Sequence, residues 1–127
     1  MKLLLDTHTL LWWLAGDGAL SSKAARLLED ADNELFVSAA SAWEISIKNQ
    51  IGRLEAQFLL DRFEDQLAEK GMISLPISPV HAIRAGSLPA HHRDPFDRML
   101  VAQAQAENLA IVSNDISFDS YGIRRLW

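Results

Sequence analysis

Four acidic residues carry the chemistry open to this sequence. Asp6 follows the apolar run Leu3-Leu4-Leu5, and Asp115 follows Leu109-Ala110-Ile111-Val112. Glu44 and Asp97 fall at the starts of two expected helices, within Ser41-Ala42-Trp43-Glu44 and Asp94-Pro95-Phe96-Asp97. Carboxylates gathered at one point without a cation repel one another and raise each other's pKa values. Hard oxygen ligands of this kind suit Mg²⁺ or Mn²⁺. A divalent-cation site is therefore the sharpest reading of the four. Each acid also has a purely structural alternative. Asp6 can cap the helix that follows it. Glu44 completes a Ser-x-x-Glu capping-box pattern with Ser41. Asp97 complements a helix dipole as a first-turn acid, and Asp115 can close a local turn after Ser113-Asn114. None of these alternatives accounts for the shared placement.

The elements that must position these acids read as alternating strands and helices. Lys2–Leu5 is an expected buried strand, followed by a helix through Leu10, Leu11 and Leu14 that ends near Gly16. Ser21-Ser22 caps a second helix, and Leu35-Phe36-Val37 forms a second strand. The capping box at Ser41 opens a helix that stops at Gly52, and another runs from about Ala56 to Lys70. Met72–Ile77 is a third strand whose Pro76 suggests an end or a sheet edge. A short helix spans Val80–Ala85, and a polar loop Pro89–Arg93. Asp94 then caps a helix with Pro95 at its first position, running to about Glu107. Leu109–Val112 is a fourth strand, and Tyr121–Leu126 an edge strand. Strands separated by helices imply right-handed crossovers and a parallel sheet covered on both faces. The expected fold is one α/β domain over residues 1–127, a three-layer α/β/α sandwich with a mainly parallel central sheet. In such sheets ligands bind beyond the carboxyl ends of the strands, where strand order reverses. Asp6, Glu44, Asp97 and Asp115 can converge there.

Composition narrows the function classes. At 127 residues, 49% hydrophobic and 23% charged, the chain is globular and large enough for its own core. It has no cysteine, which removes disulfides and thiolate nucleophiles and fits a reducing cytoplasm. The apolar run near the start is too short for a signal peptide and is interrupted by Asp6. No stretch approaches a membrane span of roughly 20 apolar residues. A net charge of −5 argues against a generic nucleic-acid binder, although basic residues gather around His91, His92, Arg93 and Arg98. There is no GxxxxGK[ST] phosphate loop, no GxGxxG turn and no GxSxG elbow. Trp12, Trp13, Trp43 and Trp127 read as core or interface residues. Trp12 and Trp13 cannot share a helical face. His91-His92 reads as a solvated loop, His8 as a local hydrogen-bonding residue, and Asp119 as loop solvation. Lys48, one turn after Glu44, is either its surface ion-pair partner or a pocket residue that meets phosphate.

With these pieces in order, the chain resembles the PIN-domain family, in particular the VapC-type toxin ribonucleases of bacterial toxin–antitoxin pairs. The resemblance rests on Leu4-Leu5-Asp6-Thr7-His8-Thr9-Leu10-Leu11-Trp12, Ser38-Ala39-Ala40-Ser41-Ala42-Trp43-Glu44-Ile45, His92-Arg93-Asp94-Pro95-Phe96-Asp97-Arg98-Met99-Leu100 and Ile111-Val112-Ser113-Asn114-Asp115. It implies metal-binding, catalytic roles for Asp6, Glu44, Asp97 and Asp115, with Ser113 in support; Thr7, beside Asp6, is a second supporting residue by position. It also implies Mg²⁺- or Mn²⁺-dependent cleavage of RNA, homodimerisation and inhibition by a cognate antitoxin. Chemistry of this kind uses divalent ions to activate water and neutralise charge on the scissile phosphate. Lys48, Arg93 and Arg98 are the expected RNA phosphate contacts. Operator DNA would be bound only through the antitoxin, since no DNA-reading module is present. Two alternatives belong to other classes. A metal-dependent phosphatase or phosphotransferase can also place an aspartate after its first strand, but a haloacid-dehalogenase-like site has a second aspartate where His8 stands. A non-catalytic partner-binding α/β protein would use the acids only as helix caps.

Overall fold

A computed structural model describes residues 1–127. Five strands form one sheet: β1 (Lys2–Leu5), β2 (Glu34–Ser38), β3 (Met72–Leu75), β4 (Ala110–Val112) and β5 (Arg125–Leu126). Their order is β3-β2-β1-β4-β5, and every pairing is parallel. Seven α-helices connect them: α1 (Thr7–Ala15), α2 (Ser22–Glu29), α3 (Ala39–Gln50), α4 (Gln57–Asp61), α5 (Phe63–Glu69), α6 (Pro79–Ser87) and α7 (Pro95–Glu107). A 3-10 turn follows β4 at Ile116–Tyr121. No helix is long and apolar enough to cross a membrane.

The alternation of side chains along β1 divides the core in two. Leu3 and Leu5 join a cluster with Leu10, Leu28, Val37, Ile45 and Leu67, beneath α1 to α5. Leu4 points to the opposite face and joins Leu100, Val101, Ile111 and Phe118, beneath α7 and the 3-10 turn. In register, Leu4 lies opposite Phe36 of β2 and Ile111 of β4. β1 is thus the middle strand, apolar on both faces, as expected of a parallel sheet covered by helices. The chain builds β2 and β3 on one side of β1, then crosses to place β4 and β5 on the other. Strand order reverses between β1 and β4, so the crevice for a ligand opens beyond Leu5 and Val112.

Local structure departs from the expected elements in three places. The capping box at Ser41 does not form. Ser38 is the N-cap instead, its Oγ accepting from Ala40 N at 3.0 Å, so Glu44 lies inside α3 rather than at its opening. Ser41 is buried in the helix and its Oγ lies 3.0 Å from Thr7 Oγ1. The single helix expected from Ala56 to Lys70 is two, broken at Arg62, where φ is −131° and ψ is 34°. The break lets Leu59, Leu60 and Phe63 turn onto the same core as Leu67. After the 3-10 turn, Gly122 adopts a left-handed φ of 70°, which favours glycine. Only Arg125–Leu126 then pairs in the sheet, where a strand from Tyr121 was expected. The edge position of β3, ending just before Pro76, matches the expectation for that proline.

Candidate metal centre

The reversal point of the sheet carries a cavity of about 330 Å³ lined by nine residues, none hydrophobic. Asp6, Glu44, Asp94, Asp97 and Asp115 all face it, joined by Lys48. Asp6 and Glu44 are nearly fully buried, at 5% and 4% exposure. Asp6 is held from both sides. Its Oδ1 accepts from Thr9 N at 2.8 Å, and its Oδ2 accepts from Ser113 Oγ. The cap reading and the site reading of Asp6 therefore hold together. Thr9 Oγ1 donates to the Val112 carbonyl at 2.9 Å, tying the start of α1 to the end of β4. Thr7 Oγ1 donates to Glu44 Oε1 at 2.7 Å, and Lys48 Nζ donates to Glu44 Oε2 at 2.6 Å. Lys48 is thus at once the i,i+4 partner of Glu44 and a residue of the cavity.

The other two acids come from the far side of the crevice. Asp94 caps α7 as expected, its Oδ1 accepting from Phe96 N at 2.8 Å, with Pro95 at the first helical position. That leaves the Asp97 carboxylate free to face the cavity. Asp115 caps the 3-10 turn, its Oδ1 accepting from Ser117 N at 3.0 Å and Ser117 Oγ at 2.7 Å. Ser113 Oγ accepts from Asp115 N at 3.0 Å while donating to Asp6, so one hydroxyl links two of the acids.

Electrostatics follow from this crowding. Burial pushes the Asp97 carboxyl up to about 7, reinforced by the charges of Asp94, Glu44 and Asp6 and opposed by His92. At Asp115 burial also pushes upward, but hydrogen bonds from Ser117 and His92 outweigh it and lower the pKa. A group of carboxylates that holds a proton at one member near neutrality, with oxygen donors and no thiol, fits a hard divalent cation.

The expected residues are not placed alike. Asp6, Glu44, Asp97, Asp115, Thr7, Ser113 and Lys48 meet at or directly behind the cavity. Arg93 is exposed on the loop before α7. Arg98 does not fit a phosphate contact: its guanidinium donates to the carbonyls of Ala85, Leu88, Pro89 and His92 at 2.9 to 3.2 Å, and so is committed within the protein. His92 is not a solvated loop residue. Its Nε2 lies 3.0 Å from Asp97 Oδ2 and 3.5 Å from Asp115 Oδ2, a partnership for which its neighbours in sequence give no signal. His8 makes a ring stack with Trp12 at 5.7 Å rather than a local hydrogen bond. Trp12 also packs on Trp127, while Trp13 turns to the core beneath Lys70. Asp119 is paired with Arg125 Nε at 2.9 Å.

Comparison with known proteins bears on the family and the fold. The PIN domain family profile matches residues 3–123. The chain is 34% identical over 113 residues to Ribonuclease VapC22 of Mycobacterium tuberculosis, covering 88% of this chain and 85% of that protein. Among solved structures it is similar to VapBC2 of Rickettsia felis bound to a promoter DNA fragment, with a TM-score of 0.69 at 14% identity over 99% of this chain and 98% of that one. It is likewise similar to VapBC-1 of nontypeable Haemophilus influenzae, with a TM-score of 0.67 at 16% identity over 99% and 97%. These two likenesses show the shared α/β fold. The family match across nearly the whole chain, with the 34% identical relative, shows that this protein belongs to the PIN-domain family.

Proposed function

We propose that this chain is a divalent-metal-dependent endoribonuclease, the toxin of a toxin–antitoxin pair, hydrolysing RNA phosphodiester bonds in the cytoplasm. Asp6, Glu44, Asp97 and Asp115 are its metal-binding, catalytic residues, and Mg²⁺ or Mn²⁺ is the ion. The observation that carries this reading is the convergence of all four carboxylates on one polar cavity at the sheet's reversal point. The ribonuclease name of the Mycobacterium tuberculosis relative supports the activity. The VapBC neighbours support an antitoxin partner, through which any operator DNA would be bound.

When bound, a divalent ion here supplies Lewis-acid polarisation of the phosphate and a lowered pKa for water. The chain's own residues prepare for it. Ser113 and Thr9 fix the two oxygens of Asp6, and Thr7 fixes one oxygen of Glu44. Lys48 presents a positive charge in the cavity, where it can meet a phosphate. Arg93, exposed nearby, is a second phosphate contact. Single-stranded or looped RNA offers the accessible backbone that such a site needs. A homodimer is supported by exposed Trp43, Val80 and Ile83. Trp43 also borders an apolar depression of about 230 Å³ with Ile77, Phe96 and Met99.

The test is cleavage of a panel of structured RNAs with Mg²⁺ or Mn²⁺, and with EDTA, by wild type, Asp6→Asn and Asp97→Asn. Cleavage that needs both the metal and the two carboxylates is the expected result. Cleavage that survives both substitutions would remove this cavity as the site.

A further inference from the structure

His92 is held in place more tightly than any other residue of its loop. Its backbone N–H donates to Tyr121 Oη at 2.7 Å, and its carbonyl accepts from Arg98 Nη1 at 3.2 Å. Tyr121 Oη in turn donates to the Pro89 carbonyl at 2.9 Å, so one hydroxyl fastens the loop twice. The imidazole packs against the fully buried ring of Phe118, with centroids 5.9 Å apart. Nδ1 accepts from Asp94 N at 3.3 Å, which places a hydrogen on Nε2. Nε2 itself lies within ion-pair reach of two carboxylates, Asp97 Oδ2 at 3.0 Å and Asp115 Oδ2 at 3.5 Å.

A ring anchored at its N–H, its carbonyl, its face and its far nitrogen is aimed with little freedom left. Asp97 and Asp115 come from different elements, the start of α7 and the turn after β4, and no backbone ladder connects them. The geometry points to His92 as a positioning residue whose Nε2, within 3.0 Å of Asp97 and 3.5 Å of Asp115, sets the orientation of both carboxylates toward the cation. His92, Asp97 and Asp115 offer ligand atoms within 4.8 Å of one another, but the Asp94 N–H donated to Nδ1 puts the ring hydrogen on Nε2, which assigns His92 to act through the acids rather than as a ligand. Hydrogen-bond partners behind ligating groups tune metal affinity in this way, and their loss weakens binding roughly 10- to 100-fold. The inference rests on the metal-site reading proposed above.

The test is titration calorimetry with Mn²⁺ and Mg²⁺ on wild type, Asp6→Asn, His92→Phe, His92→Asn and His92→Gln. Phenylalanine keeps the packing on Phe118 without a donor. Asparagine reaches only the Nδ1 position, leaving no group at the Nε2 position, and serves as the second such variant if His92→Phe does not fold. Glutamine returns an N–H near Nε2. The expected result is a Kd for Mn²⁺ raised roughly 10- to 100-fold in His92→Phe and His92→Asn, with most of the affinity restored in His92→Gln. Unchanged affinity in His92→Phe and His92→Asn would overturn the proposal, as would failure of glutamine to restore it. Strong ¹⁴N coupling in the pulsed EPR spectrum of Mn²⁺-loaded wild type would also overturn it, by making His92 a ligand. If wild type binds no more Mn²⁺ than Asp6→Asn does, the metal-site reading itself fails, and the two failures remain distinct.

Discussion

Glu44 and Asp97 share a cavity but meet opposite surroundings. Lys48 lies 2.6 Å from Glu44, whereas Asp97 faces His92 amid the charges of three other acids. The consequence is a pH dependence with a definite sign. With its pKa pushed up to about 7 from an ordinary 3.8, Asp97 holds a proton in the folded chain that the unfolded chain has released. Stability of the metal-free protein should therefore fall as pH rises from about 4 through about 7. Asp115, whose pKa is lowered, contributes in the opposite sense, but only as pH falls below the ordinary aspartate range. Thermal melts without metal at pH 5 and pH 8 should show the decline, and Asp97→Asn should flatten it; an equal decline in the variant would assign it to another group. Added Mn²⁺ should raise the Tm more at pH 8 than at pH 5, since the proton competes with the cation. Asp6→Asn makes a second contrast at this scale. Asparagine is as good an N-cap as aspartate, so the Thr9 contact can persist and stability should change by less than about 1 kcal/mol. Calorimetry should nevertheless show Mn²⁺ binding lost, and retained binding would remove Asp6 from the ligand set. At this scale the sequence was informative for acids just past a strand or within the first turns of a helix, and silent for His92. Its role depends on two carboxylates that only the folded chain brings to it.

Among the elements, α7 organises its surroundings through one side chain. Arg98 gathers four carbonyls from the end of α6 and the loop before α7, which sets the course of the chain up to His92. Charge-assisted hydrogen bonds of this kind are worth more than neutral ones. Arg98→Gln should destabilise the protein by about 2–3 kcal/mol in urea unfolding. It should also speed amide exchange in residues 88–94 ahead of the core strands. A loss below about 0.5 kcal/mol would show that the carbonyls find other partners. The sequence-based expectation of Arg98 as a phosphate contact failed because local charge does not reveal which backbone acceptors lie within reach. The start of α3 misled for a related reason. Ser38 and Ser41 are equally good caps by composition, and only the end of β2 decides between them. The break at Arg62 was hidden because the apolar spacing of Leu59, Phe63 and Leu67 suits an unbroken helix as well as a turn between two. Strands β1, β2 and β4, by contrast, were plain as short runs of large apolar residues between polar stops.

For the molecule as a whole, the middle position of β1 decides both stability and chemistry. Leu4 is fully buried between Phe36 and Ile111, so Leu4→Ala should cost about 2–5 kcal/mol with the urea m-value unchanged. The equivalent change at exposed Ile73 of edge strand β3 should cost much less, and equal losses would contradict the two-faced core described above. The parallel layered fold was legible from the alternation of strands and helices, and handedness rules then limit how they connect. Strand order was not legible, because apolar runs of three or four leucines and valines do not name their neighbours. That order has a further consequence in time. Asp6 at the end of β1 and Ser113 after β4 are joined by a hydrogen bond yet stand 107 positions apart in sequence, and contacts so distant are slow to form. Until β4 pairs with β1, a folding chain holds Asp6 and Glu44 without Asp115 opposite them. The completed cavity is therefore a property of the finished sheet and of no single segment of it.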